Sequence, residues 1–171
     1  GNLVLKKWDR KVEQWIARLS TLANAMPELE LPVFSDEDKQ AVIEQICLGA
    51  LSYKQIKDRE VWPELHAFLA PHQRPMLDQL VPDRLQLPNG KRARIRFEIG
   101  AKPILSARLQ HLYDIDKTPS LADGRIPLRI EILAPNQRPV QLTEDLPGFW
   151  ANSYEHVKKD LKGRYPKHEW R

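Results

Sequence analysis

The chain has 171 residues, 42% hydrophobic and 29% charged, and 27 basic against 23 acidic side chains give it a formal net charge of +4. With a mean hydropathy of −0.54, that composition fits one domain or two small ones and argues against disorder or collagen-like sequence. No apolar run reaches the roughly 18 residues of a spanning helix, so no membrane partner is expected. The single cysteine, Cys47, excludes an internal disulfide and points to a cytoplasmic protein.

The first half reads as helices. Trp8, Val12, Trp15, Ile16, Leu19, Leu22, Ala23 and Met26 recur at three- and four-residue steps, which predicts one long amphipathic helix ended by Pro27. It starts with no lead-in, as a fragment of something longer would. Ser35 caps a second helix whose first turn holds Asp36, Glu37 and Asp38, with Val42, Ile43, Ile46, Cys47 and Ala50 as its stripe. Ser52 and Gln55 form a capping-box pattern, Pro63 starts a helix carrying Leu65, Phe68 and Leu69, and Met76, Leu77 and Leu80 mark a last short one.

Beyond Pro82 the period falls to two. Leu85 and Leu87 precede Asn89-Gly90, after which Ala93, Ile95, Phe97 and Ile99 alternate with Arg94, Arg96 and Glu98. This predicts an antiparallel hairpin with one wet face. A helix is expected from Pro103, burying Ile104, Leu105, Leu109 and Leu112. A third strand follows along Ile126, Leu128, Ile130 and Ile132, a fourth along Val140 and Leu142, and a final helix over 153–161 ended by Gly163. The fold class is therefore α+β: a helical half, 1–81, packed on a small antiparallel or mixed sheet with flanking helices, 82–171.

Charge divides at the same place. Through Gln86 there are 11 basic and 13 acidic side chains, a net −2; from Leu87 onward there are 16 and 10, a net +6. The second half is the candidate surface for an anionic partner. Enzyme chemistry finds no foothold. The one Gly-Lys pair, Gly90-Lys91, has Leu85 where a phosphate loop needs its first glycine and Arg92 where it needs a hydroxyl. His66 and His72 lack metal-ligand spacing with Pro71 between them, and Ser, His and Asp form no nucleophile motif. No catalytic, cofactor-binding or metal-binding residue is assigned.

Three constellations remain. Lys91, Arg92, Arg94 and Arg96 could track a phosphate backbone or could simply keep an edge strand soluble. In the tail, Lys158, Lys159 and Lys162 either complete the dipole of the last helix or begin a nucleic-acid surface. Arg164, Tyr165, Lys167 and His168 extend that surface past the expected helix end, with a ring suited to single strands; Tyr165 could equally pin the tail. Phe149 and Trp150 place two large rings in a polar loop organised by Thr143 and Asp145, where they either pack on the hairpin or dock another domain.

These residues carry a resemblance. Arg125-Ile126-Pro127-Leu128, the runs 133–141 and 143–150, Ser153-Tyr154, and Gly163-Arg164-Tyr165-Pro166-Lys167-His168 with Trp170 resemble the C-terminal region of HrpB-type bacterial ATP-dependent helicases, of the DEAH/RHA type in superfamily 2. The runs 82–90 and 107–112, Trp62-Pro63 and Leu69-Ala70-Pro71 agree with it. Phe68 departs, standing where members often have Trp, and the chain stops short of an extension that many members carry. The resemblance implies two upstream RecA-like domains that hold ATP and Mg²⁺, with no cofactor in this chain. It implies a non-catalytic accessory role whose partners are RNA or single-stranded nucleic acid and those upstream domains. The alternative is an interdomain brace or protein-docking module, presenting Phe149 and Trp150 or the stripe from Trp8 to Met26 as an exposed apolar patch.

Overall fold

In the computed structural model, which describes residues 5–171, the Asp9 carboxylate caps helix α1 (Arg10–Ala25) by accepting from the Val12 amide at 3.2 Å. Trp8 therefore precedes the helix instead of sharing its stripe, and its indole Nε1 donates to Glu13 at 2.7 Å. Val12, Trp15, Ile16, Leu19 and Leu22 are buried along one side of α1. Ser35 and Asp38 form a reciprocal capping box at the start of α2 (Asp36–Ile46), which satisfies two otherwise orphaned amides. Of the expected α2 stripe only Val42 and Ile46 are buried; Ile43 is half-buried, and Cys47 and Ala50 lie beyond the helix end at Ile46. Gln55 accepts from Leu51 N at 2.6 Å, one residue before the expected cap, ahead of the short α3 (Tyr53–Ile56). Helix α4 (Trp62–His66) ends before Phe68 and Leu69, and α5 (Arg74–Leu80) completes the helical unit.

The chain divides into two compact units, one holding residues up to Val81 together with Glu98–Gly100, the other Pro82–Phe97 with Ala101–Arg171. In the second unit, β1 (Arg84–Gln86) and β2 (Arg92–Arg96) pair antiparallel across the expected turn, where Gly90 takes a φ of +85°. A left-handed residue costs least as glycine, so Asn-Gly is well placed here.

Residues 104–112 differ from expectation. Instead of a helix they form strand β3 (Ile104–Arg108) followed by a 3₁₀ turn (Leu109–Leu112). Within β3 Leu105 and Ala107 are buried, while Ile104, Ser106 and Arg108 sit half-exposed on the other face. A two-period strand joined to a turn mimics helical spacing, and neighbours on both sides decide the outcome. β3 lies between β2, antiparallel, and β6 (Arg129–Leu133), parallel. Parallel pairing needs a long crossover, supplied here by the 3₁₀ turn and a small ladder of β4 (Ser120–Leu121) with β5 (Ile126–Pro127). The single strand expected through Ile126 and Ile132 is accordingly broken at Leu128.

With β7 (Pro139–Thr143) the described residues form a five-stranded mixed sheet in the order β1-β2-β3-β6-β7, and the fold is α+β. The loop expected around Pro147 is helix α6 (Leu146–Asn152): Asp145 accepts from Gly148 N at 3.0 Å and Pro147 occupies the first turn, where its missing amide costs nothing. Helix α7 (Tyr154–Arg164) runs through Gly163 and closes when Tyr165 N donates to Leu161 O at 2.9 Å. One face of the sheet is core: Leu105, Ile130 and Ile132 are fully covered, with Ala93 and Ile95 nearly so.

Candidate nucleic-acid interface

Register decides what the other face displays. Arg84 lies opposite Arg94, Gln86 opposite Arg92, Arg94 opposite Ser106, and Arg96 opposite Ile104. Ile104 pairs with Arg129, Ser106 with Glu131, and Arg108 with Leu133. Since paired residues share a face, the solvent side of four adjacent strands carries Arg84, Arg92, Arg94, Arg96, Arg108 and Arg129 around one carboxylate, Glu131.

That carboxylate is already engaged. Arg96 grips it in a fork, at 3.0 and 2.9 Å, and also donates to Ser106 Oγ, while Ser106 Oγ donates to Glu131 at 2.7 Å. The fork holds the Glu131 carboxyl below its ordinary range against the opposing effect of burial, with Ser106 adding to the lowering. Arg96 is thus paired in place with Glu131, unlike Arg92 and Arg94 on the same strand. Arg108 turns to the Gln137 side-chain amide, whose oxygen accepts at 2.7 and 3.0 Å once the amide is turned to match the donors. Arg129 lies in the field of Glu144, which is itself paired with Lys102 at 2.5 Å. Lys91, Arg92 and Arg94 are exposed, as is Arg84, and none of the four forms an ion pair among the described residues.

Tertiary contacts fix the hairpin turn. Asn89 Nδ2 donates to the His111 and Tyr113 carbonyls, both at 2.9 Å, and Asn89 Oδ1 accepts from Lys91 N at 3.0 Å. His111 therefore lies near two cations. Burial first, then the charges of Lys91 and Arg108, hold its pKa below the ordinary histidine value. Sequence reasoning missed Arg84, Arg108 and Arg129. Arg84 and Arg129 could have been found by extending the alternation about Leu85 and Ile130, whereas the mistaken helix concealed Arg108.

The tail residues take a different place. On α7, Lys159 and Lys162 are exposed and Lys158 is half-buried; Arg164, Lys167 and His168 are exposed beyond it. None of these forms an ion pair, and no hydrogen bond joins them to the sheet-face arginines among the described residues. Tyr165 is half-buried, its carbonyl accepts from Trp170 Nε1 at 2.8 Å, and its ring meets His168 edge-on at 6.1 Å. Its backbone anchors Trp170, while its ring stays half-buried beside His168.

The docking residues lie inside the unit. Phe149 is 2% exposed, with ring centroids 5.2 Å from Trp150 and 6.4 Å from Tyr154. Trp150 stacks on Tyr113 at 5.7 Å and donates Nε1 to the Ile115 carbonyl at 3.0 Å. This aromatic cluster receives the chain's own tail. Tyr113 and Tyr154 share a hydroxyl hydrogen bond of 2.8 Å, Tyr154 OH donates to the Arg171 main-chain oxygen at 2.6 Å, and the Arg171 guanidinium lies 4.8 Å over the Tyr113 ring. Burial and the Tyr113 contact push the Tyr154 phenol well above its ordinary value. The expected exposed patch is absent at Phe149 and Trp150, and on α1, where Val12, Leu19 and Leu22 are fully covered.

A model of the family described as ATP-dependent helicase C-terminal matches residues 42–171. The chain belongs to the HrpB C-terminal family. The family match includes the whole sheet and both basic groups. The ATP-dependent RNA helicase HrpB of Escherichia coli (strain K12) is 36% identical over 172 residues, which are 98% of this chain and 21% of that protein. A crystal structure of the E. coli DExH-box NTPase HrpB is similar with a TM-score of 0.87 at 35% identity, covering 100% of this chain and 22% of the other. A crystal structure of the Escherichia coli DEAH/RHA helicase HrpB gives a TM-score of 0.76 at 35% identity over 99% and 22%. The chain thus spans about a fifth of the length of these relatives. As a C-terminal domain of an ATP-dependent helicase, it has no described group of His, Cys, Asp and Glu able to hold a metal ion. No described helix is long and apolar enough to cross a membrane.

Proposed function

We propose that this domain is a non-catalytic accessory module of an ATP-dependent RNA helicase and that it contacts RNA through the wet face of its sheet. The observation that carries the reading is the arginine field on β1, β2, β3 and β6, whose one carboxylate is consumed by Arg96. A predominantly positive surface whose one carboxylate is already paired attracts a polyanion and releases its condensed counterions on binding. ATP and Mg²⁺ belong, on this reading, to RecA-like domains of the whole protein, with the present module adding grip on the strand. A cytoplasmic setting agrees with the single cysteine.

The test is the salt dependence of RNA binding. If Lys91, Arg84, Arg92 and Arg94 each neutralise one phosphate, log affinity falls against log salt with a slope near −3 for a single strand. Between 50 and 200 mM salt the affinity drops roughly 50-fold. Fluorescence anisotropy with a labelled oligoribonucleotide measures this directly. A flat dependence, or no binding at low salt, overturns the proposal.

A further inference from the structure

We propose that Arg84 and Arg94 act together as a clamp on a single phosphodiester group of a polynucleotide strand. This rests on the RNA-binding reading above and specifies what the face recognises. Leu87 N donates to Lys91 O at 2.7 Å and Ile95 N donates to Asp83 O at 2.8 Å. Those bonds mark the pairs 87–91 and 83–95 as hydrogen-bonded, so alternation puts Arg84 and Arg94 in a non-hydrogen-bonded pair. Side chains approach most closely there, with Cβ atoms about 4.5–5.5 Å apart.

Like charges directly opposite on a sheet destabilise it, and among the described residues neither Arg84 nor Arg94 forms an ion pair. The nearest carboxylate on the face, Glu131, is held bidentately by Arg96 and again by Ser106, the cross-strand neighbour of Arg94. Two exposed guanidinium forks with no ion-pair partner among the described residues match the two non-bridging oxygens of a phosphodiester. Arg92 follows two residues along β2, a step of about 6.8 Å, which is of the order of the repeat of an extended sugar–phosphate chain. The wet strand faces carry no aromatic ring among the described residues, so the contact is with backbone and not with stacked bases.

Arg84→Gln, Arg94→Gln and the double variant test this, with Lys158→Gln/Lys162→Gln as a comparison. Binding is measured against equal-length oligo(A), oligo(U) and abasic phosphodiester oligomers, and thermal unfolding of each free protein is followed at low salt. Each single variant should lose roughly tenfold in affinity, and the double variant little more, because both side chains hold one group. All three oligomers should weaken in proportion. The free single variants should melt at the parental temperature or up to a few degrees above it, because a repulsion has been removed. That pairing of undiminished stability with lost binding separates a clamp from a packing role. Parental RNA affinity in both single variants refutes the clamp. So does a drop of several degrees in their melting, or a preference of more than about tenfold for oligo(A) over the abasic oligomer. In each of those cases RNA binding by the parent chain keeps the broader reading intact; failure of the parent chain to bind any oligomer removes both.

Discussion

Truncating Phe149 to alanine distinguishes a core ring from a docking ring, and the structure sets the size of the effect. Phe149 is 2% exposed and sits between the rings of Trp150 and Tyr154. Removing a buried phenyl group loses its transfer free energy and leaves a cavity, together about 3–5 kcal/mol. The wall formed by Trp150 and Tyr154 resists collapse, since each is tied by its own hydrogen bond, to Ile115 O at 3.0 Å and to the Arg171 main-chain oxygen at 2.6 Å. The upper part of that range is therefore expected. For a chain of this length each kcal/mol moves the melting temperature by roughly 2–4 °C, so a fall of roughly 8–20 °C follows. Thermal unfolding followed by near-ultraviolet circular dichroism, which reports the aromatic cluster, measures it. A ring used mainly for docking would leave melting almost untouched when removed. A shift below about 2 °C would refute the burial argument and restore the brace reading.

Two further perturbations probe the supports of the site. In Gly148→Ala the new Cβ would lie 2.3 Å from Asp145 Oδ2 and displace the carboxylate that caps α6. A loss of about 1–2 kcal/mol is expected by chemical denaturation, and adding Asp145→Ala should cost little more, because the cap is already gone. Glu131→Gln tests the centre of the arginine field. The Arg96 fork lowers the Glu131 pKa in the folded state, so the pair contributes stability that is fully present above the unfolded value. That contribution disappears as pH falls through the lowered folded value. The variant should therefore be less stable than the parent at pH 7, with the gap closing once pH passes below the ordinary glutamate value of 4.5. A gap that is constant from pH 7 to pH 3 contradicts the assignment.

Wherever the decisive interaction is local, this sequence was enough. Ser35 and Asp38 cap α2 through amides within three residues, and Asn89-Gly90 turns the chain because glycine tolerates a φ of +85°. The in–out alternation of β2, with Ala93 and Ile95 inward and its arginines outward, was likewise written in the residues themselves. The family resemblance also needed only the order of the motifs.

Wherever the decisive interaction spans many residues, only the tertiary structure settled it. Ile104, Leu105, Leu109 and Leu112 fit a helix in isolation, but strand partners on both sides make 104–108 the middle of the sheet. That change turns Arg108 onto the wet face and sets Ser106 beside Glu131. Phe149 and Trp150 could be placed only once the tail was seen lying against Tyr113 and Tyr154. Even Arg96, which shares a strand face with Arg94, differs from it because a carboxylate thirty-five positions away closes on its guanidinium. Caps and turns act through neighbours in the chain, whereas sheet register and charge pairing act through neighbours in space, which one-dimensional periodicity does not encode.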